Sequence, residues 1–146
     1  MTPLAMLAGS ELHKPVSRDV TEIAGHLAEA LGGDAVLFYG SAFRSADLDG
    51  VLDFYVLQDR AARGRGEDIF WPRVSYHEIS LAGRIVRAKV ATMSLATFER
   101  AARGGGIDTT IWTRFSQPPR LVLSRSPVMT ERVVEAVCDS IRTATR

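Results

Sequence analysis

Residues 38–59, FYGSAFRSADLDGVLDFYVLQD, carry the residue types best suited to chemistry. A short apolar run ends in Gly40-Ser41, eleven residues intervene, and a second apolar run encloses Asp53. Aspartate is disfavoured inside a strand. An ionised carboxylate among Leu52, Phe54, Val56 and Leu57 needs a cation, a metal ion or several hydrogen-bond donors to offset its desolvation. A strand holds a ligand rigidly, and Mg2+ takes oxygen ligands, commonly one or two carboxylates plus substrate phosphates. Gly-Ser at a strand end offers a close approach without a Cβ and exposed backbone amides, which suit a phosphate chain. These are parts for a metal-assisted nucleotidyl transfer. The competing structural reading makes Gly40-Ser41 a plain turn and has Asp53 pair with a buried arginine or cap a neighbouring segment.

A second acid is needed for a two-carboxylate metal site. The positions two residues either side of Asp53, on the same strand face, are Val51 and Tyr55, so the acid has to come from elsewhere. Asp59 at the strand's far end and Glu78 on the next expected strand rank ahead of Asp47 and Asp49 on the approach loop. Lys89, in an expected strand, is the first choice for a phosphate-binding cation. Its alternative is an edge-strand lysine snorkelling beside Arg87. Arg44 and Arg114 are further candidates for nucleotide phosphates. His77, beside Tyr76 and Glu78, and His26, on the first expected helix, read as solvated or structural side chains. Trp71, Trp112 and Phe115 could line an acyl-chain groove, but core packing is the commoner role of such residues.

Local sequence patterns set out the helices and strands that carry these residues. Ser17 is a plausible N-cap for a helix with Val20, Ile23, Ala24, Leu27 and Leu31 on one face, stopped by Gly32-Gly33. Residues 35–39 and 51–57 read as buried strands. Residues 74–81 and 84–93 read as two strands around an Ala82-Gly83 turn. Ser94 can cap a helix through Leu95, Phe98 and Ala102 that stops at residues 104–106, all glycine. Asp108 or Thr109 can cap a shorter helix ended by Pro118-Pro119. Residues 121–123 read as a last strand, and Val133, Val134, Val137 and Ile141 mark a C-terminal helix whose apolar stripe packs on the core. Residues 60–67 read as a surface loop or frayed helix. The expected fold is an α+β single domain, with a mixed, mainly antiparallel sheet flanked by helices over residues 17–146. Residues 1–16 are expected to be a loosely ordered arm.

Composition bounds the function. The chain has 146 residues, 46% hydrophobic and 24% charged, which suits one folded domain with a single substantial core. The formal charge of +1 argues against a dedicated nucleic-acid binder, which carries a basic surplus. Of the 18 basic residues only Lys14 and Lys89 are lysine, so single arginines carry less information than these two. One cysteine, Cys138, permits no internal disulfide and no cysteine-based metal site, as fits a reducing compartment. Residues 1–10 are apolar but lack the basic start of a signal peptide, and no stretch approaches the roughly 18 apolar residues of a spanning helix. A cytoplasmic protein, at most peripheral to the inner membrane face, is expected.

The Gly-Ser and strand-acid arrangement resembles the polymerase-β-type nucleotidyltransferases, in which the strand bears two acids separated by one residue. Here Asp53 matches and Tyr55 takes the place of the second acid. The sequence more closely resembles a family within that superfamily, the mitochondrial-type phosphatidate cytidylyltransferases (the translocator assembly and maintenance proteins). The match runs through Tyr39-Gly40-Ser41, Leu52-Asp53-Phe54, an acid six residues on at Asp59, Val74-Ser75-Tyr76, a lysine strand from Lys89 to Ser94, and Arg114 followed by Pro118. These elements span more than half of the chain in the same order. The loop before Asp53 and the segment after Asp59 are compact.

The resemblance implies a nucleotidyltransferase-like fold and Mg2+-dependent transfer of CMP from CTP to a phosphorylated acceptor, phosphatidic acid in that family, with release of pyrophosphate. It implies Tyr39, Gly40, Ser41, Arg44 and Arg114 at the nucleotide, Lys89 at its phosphates, and Asp53 with Asp59 or Glu78 at the metal. It also implies peripheral contact with a membrane surface. A catalytically inactive nucleotide- or partner-binding module on the same fold is the alternative, and a small enzyme that modifies protein or RNA is a third.

Overall fold

The computed structural model describes residues 3–39, 50–59, 73–103 and 119–144. Its elements run α1 (Pro3–Leu12), α2 (Arg18–Leu31), β1 (Ala35–Tyr39), β2 (Val51–Gln58), β3 (Arg73–Leu81), β4 (Arg84–Ser94), α3 (Leu95–Ala102), β5 (Arg120–Ser124) and α4 (Pro127–Ala144). The strands form one sheet in the order β3-β4-β2-β1-β5. Only β2 and β4 run parallel, and the other three pairings are antiparallel. This is the α+β class with the mixed, mainly antiparallel sheet that the sequence leads one to expect.

Local chemistry explains most element boundaries. Ser17 caps α2 by accepting a hydrogen bond from the Val20 amide at 3.3 Å, and Ser94 caps α3 by accepting from the Thr97 amide at 3.0 Å. Gly32 ends α2 in the left-handed region, φ 65°, where a Cβ would be strained. The β3–β4 hairpin closes on Ala82-Gly83, both at positive φ (51° and 78°), as a turn matching the right-handed twist of its strands requires.

The strands bury opposite faces in two clusters. Leu52, Phe54 and Val56 of β2 join Val36, Phe38, Val86, Ala88 and Val90 under α2, where Val20, Ile23 and Leu27 project. The alternate residues Tyr55 and Leu57 join Leu37 and Met93 under α3 and α4, packed on Phe98, Val133 and Val137. Phe38 and Phe54 pack with their rings tilted by 39° at a centroid separation of 5.0 Å on the first face, and Tyr55 meets Phe98 edge-on at 6.2 Å on the second.

Residues 3–12 correct one expectation. The anticipated arm is the helix α1, which begins on Pro3, a favoured first helical residue, and ends by burying Leu12 completely in the α3–α4 cluster. Glu11 anchors it further. Its carboxylate lies 2.8 Å from Lys14 Nζ and 3.8 Å from Arg120 Nη1 on β5, and Arg120 also donates to the Glu11 carbonyl at 3.1 Å. The hydrogen bond from Lys14, together with the charges of Lys14 and Arg120, holds the Glu11 carboxyl below its ordinary pKa.

Candidate functional site

Sheet register decides which candidate residues meet. Asp53 stands opposite Tyr39 in the β1–β2 ladder and opposite Lys89 in the parallel β2–β4 ladder. Lys89 in turn stands opposite Tyr76 in the β3–β4 hairpin. One row therefore crosses four strands in the order Tyr76, Lys89, Asp53, Tyr39. Adjacent strands lie about 4.8 Å apart, so Lys89 is the immediate lateral neighbour of Asp53.

The row's face follows from alternation. Asp53 lies two residues before Tyr55 and so shares the sheet face covered by α3 and α4, as Lys89 shares that of Ala91 and Met93. The helices cover that face over the later halves of β2 and β4, where Tyr55, Leu57 and Met93 are buried. Asp53 lies in the earlier half of β2 and Lys89 at the middle of β4, and both are half-buried. Further out on the same face Val51, Ile85, Arg87 and Tyr76 are exposed. The row thus marks a border between a packed apolar core and an open sheet surface. Asp53 is not sunk into the apolar cluster formed by its neighbours Leu52 and Phe54. It is also adjacent to the last residue of β1, so it sits at the sheet end from which Gly40-Ser41 departs.

The other proposed metal ligands are placed differently. Asp59 follows the last residue of β2, six residues beyond Asp53, or about 20 Å along the strand. Its backbone N–H donates to Asp34 Oδ2 at 2.7 Å, and its carboxylate lies 4.0 Å from Arg132 Nη1. Arg132 forms a forked pair with Glu99, at 2.6 Å and 3.2 Å, which raises its already high pKa. Asp59 therefore belongs to a cluster joining β2, α3 and α4, at the opposite end of β2 from Asp53.

Glu78 is exposed and stands opposite Arg87. It is two strands across and two residues along from Asp53, a backbone separation on the order of 12 Å. Among the described residues no group of three or more His, Cys, Asp or Glu side chains is placed to hold a metal ion. Asp53 is then the one carboxylate of the described row. A single carboxylate still suits Mg2+, which commonly keeps waters and takes its remaining ligands from substrate phosphates. Gly40, Ser41, Arg44, Asp47, Asp49 and Arg114, with Trp71, Trp112 and Phe115, lie outside the described residues.

His26 is exposed on α2, as expected. His77 is half-buried and its Nε2 lies 2.8 Å from Ser75 Oγ, on the strand face opposite to Tyr76 and so away from Asp53. The residue that sequence reasoning passed over is Tyr76. It was visible in the Val-x-Tyr segment, but only register shows that it lines up with Lys89 and Asp53. A scan against models of known protein families returns no match, and no curated protein matches the chain significantly.

Proposed function

We propose that the chain is a Mg2+-dependent nucleotidyltransferase that transfers CMP from CTP to a phosphorylated acceptor and releases pyrophosphate. The observation that carries this reading is the Asp53–Lys89 adjacency on a half-open sheet face, at the strand end that leads into Gly40-Ser41. An acid for a metal–phosphate complex and a cation for the phosphates lie side by side on rigid strands, where a nucleotidyl transfer needs them.

In this mechanism an acceptor phosphate oxygen attacks the α-phosphorus in line. The new P–O bond forms as the bond from the α-phosphorus to the β-phosphate bridging oxygen breaks, and pyrophosphate leaves with that electron pair. The acceptor phosphate is already anionic near neutral pH, so no strong general base is required. Two anions must be brought together, and Lys89 offsets that repulsion through fixed positive charge. Bound Mg2+, held by Asp53 and the nucleotide phosphates, would supply charge neutralisation at the leaving group. The Tyr39-Gly40-Ser41 end of β1 would receive the phosphate chain, with Arg44 and Arg114 as further phosphate contacts.

A phosphatidate acceptor would require the protein to work at a membrane surface. No helix among the described residues is long and apolar enough to cross a membrane, so this reading asks for peripheral contact at the cytoplasmic face.

Pyrophosphate release tests the proposal, with Mg2+ and each nucleoside triphosphate, with and without phosphatidic acid vesicles. CTP-selective turnover that is lost in Asp53→Ala and in Lys89→Met is expected. Turnover that survives Asp53→Ala refutes the assignment. A second reading, an inactive nucleotide-binding module, draws support from the single carboxylate of the described row. It predicts nucleotide-dependent thermal stabilisation, about 2.7 kcal/mol at a hundredfold excess of nucleotide over Kd, without turnover in any combination.

A further inference from the structure

The open end of this sheet face carries an aromatic side chain that the fold does not use. Tyr76 is 72% exposed and contributes to neither hydrophobic cluster. Its strand neighbour on that face, Val74, is also exposed, as is Ile85 on β4. Exposed rings are informative when they sit beside charged groups that bind something. Here the ring stands next to Lys89 and two strands from Asp53 in one straight row, about 10 Å from the carboxylate-bearing strand. That interval matches the reach of a nucleotide from its phosphates to its base.

We infer that Tyr76 is the base platform of the nucleotide site. The inference rests on the nucleotide reading given above and specifies how the nucleotide lies. It runs across the strands, with phosphates over Asp53 and Lys89 and the base stacked on the Tyr76 ring. Three features make the position suitable. A strand fixes the ring's origin, the ring is open to a ligand at 72% exposure, and the neighbouring exposed Val74 on the same strand face gives the base an apolar border. Base–aromatic stacking tolerates every base, because each has a π-face. Tyr76 therefore supplies affinity without selecting cytosine, and selection has to reside in hydrogen-bonding groups elsewhere.

Calorimetric titration of the full chain with CTP and with inorganic tripolyphosphate, both with Mg2+, tests this. Tyr76→Ala should weaken CTP about 5- to 150-fold, the range that loss of one stacked base implies. It should leave tripolyphosphate affinity unchanged, because that ligand has no base. Tyr76→Phe keeps the ring and should bind CTP as the wild type does, whereas in Tyr76→Ala the affinities for ATP and UTP should fall in parallel with that for CTP. Melting temperatures should be unchanged, since the ring is exposed.

Undiminished CTP binding by Tyr76→Ala, or an equal loss of tripolyphosphate, overturns the platform while leaving the nucleotide reading intact. Equal losses in Tyr76→Phe and Tyr76→Ala overturn stacking in favour of recognition by the hydroxyl. A wild-type protein that binds neither CTP nor tripolyphosphate overturns the nucleotide reading, and the platform with it.

Discussion

Gly33→Ala is the substitution whose effect the structure specifies most sharply. A Cβ at this position would lie 2.5 Å from Val56 Cγ1, with the Ala28 Cα at 3.5 Å on the other side. Carbon atoms in contact prefer about 3.5–4.0 Å, so roughly 1 Å has to be found. Val56 is fully buried on the central strand β2 and its β-branch leaves it little rotamer freedom. Ala28 belongs to α2, which is tied to this turn by the Gly33 amide donating to the Ala28 carbonyl at 2.8 Å. Neither neighbour yields cheaply, and overpacking of a well-filled core costs about 1–3 kcal/mol. We expect a loss of about 2 kcal/mol in urea unfolding, and a fall in melting temperature of about 4–8 °C for a chain of this size.

A double-mutant cycle with Val56→Ala isolates the cause. The truncation opens the space that the new methyl needs, so the double variant should be close in stability to Val56→Ala alone, with a coupling of about 1–2 kcal/mol. Costs that add within about 0.5 kcal/mol would refute the clash. So would stabilisation by Gly33→Ala, the outcome expected where alanine fits the backbone and only the unfolded state changes.

Three further expectations concern the hairpin and the cluster around Asp59. Ala82 holds φ 51°, a conformation that costs an ordinary residue about 1–2 kcal/mol, so Ala82→Asn or Ala82→Gly should raise the urea midpoint, and a lowered midpoint would count against strain there. Asp59→Asn should leave CTP affinity and pyrophosphate release at wild-type values, because Asp59 sits with Arg132 and Asp34; lost Mg2+-dependent turnover would restore it as a metal ligand. In the same cluster the Arg132–Glu99 pair is forked but 36% and 21% exposed, so a cycle of Arg132→Met and Glu99→Gln should give a coupling of only about 1 kcal/mol, reduced by salt.

Much of the architecture was legible because its signals are local. Ser17, Ser94 and Gly32 act on amides and dihedral angles within one helical turn, so the caps they suggest are the caps that form. The Ala82-Gly83 turn and the apolar runs of β1 and β2 are equally short-range. The helix α1 was missed because its apolar residues do not fall into one stripe. Pro3 at the first helical position was an available signal, and its packing through Leu12 onto the α3–α4 cluster is a long-range effect.

The candidate site divides the same way. Residue types and period-two alternation were enough to single out Asp53, to pair its strand with a preceding Gly-Ser end, and to show that Val51 and Tyr55 share its face. They could not say which strand lies beside β2. That is decided by tertiary packing, which inserts β4 parallel to β2 and puts β3 at the edge of the described sheet, since ladder partners are chosen by the burial of whole faces against α2, α3 and α4. The same packing brings Lys89 next to Asp53, aligns Tyr76 behind it, and brings Arg132 of α4 to Asp59. Sequence determines the chemistry a chain can offer, because side-chain type and local backbone preference are properties of single residues and near neighbours. Which groups act together is a property of register, and register is set by contacts between segments far apart in the chain.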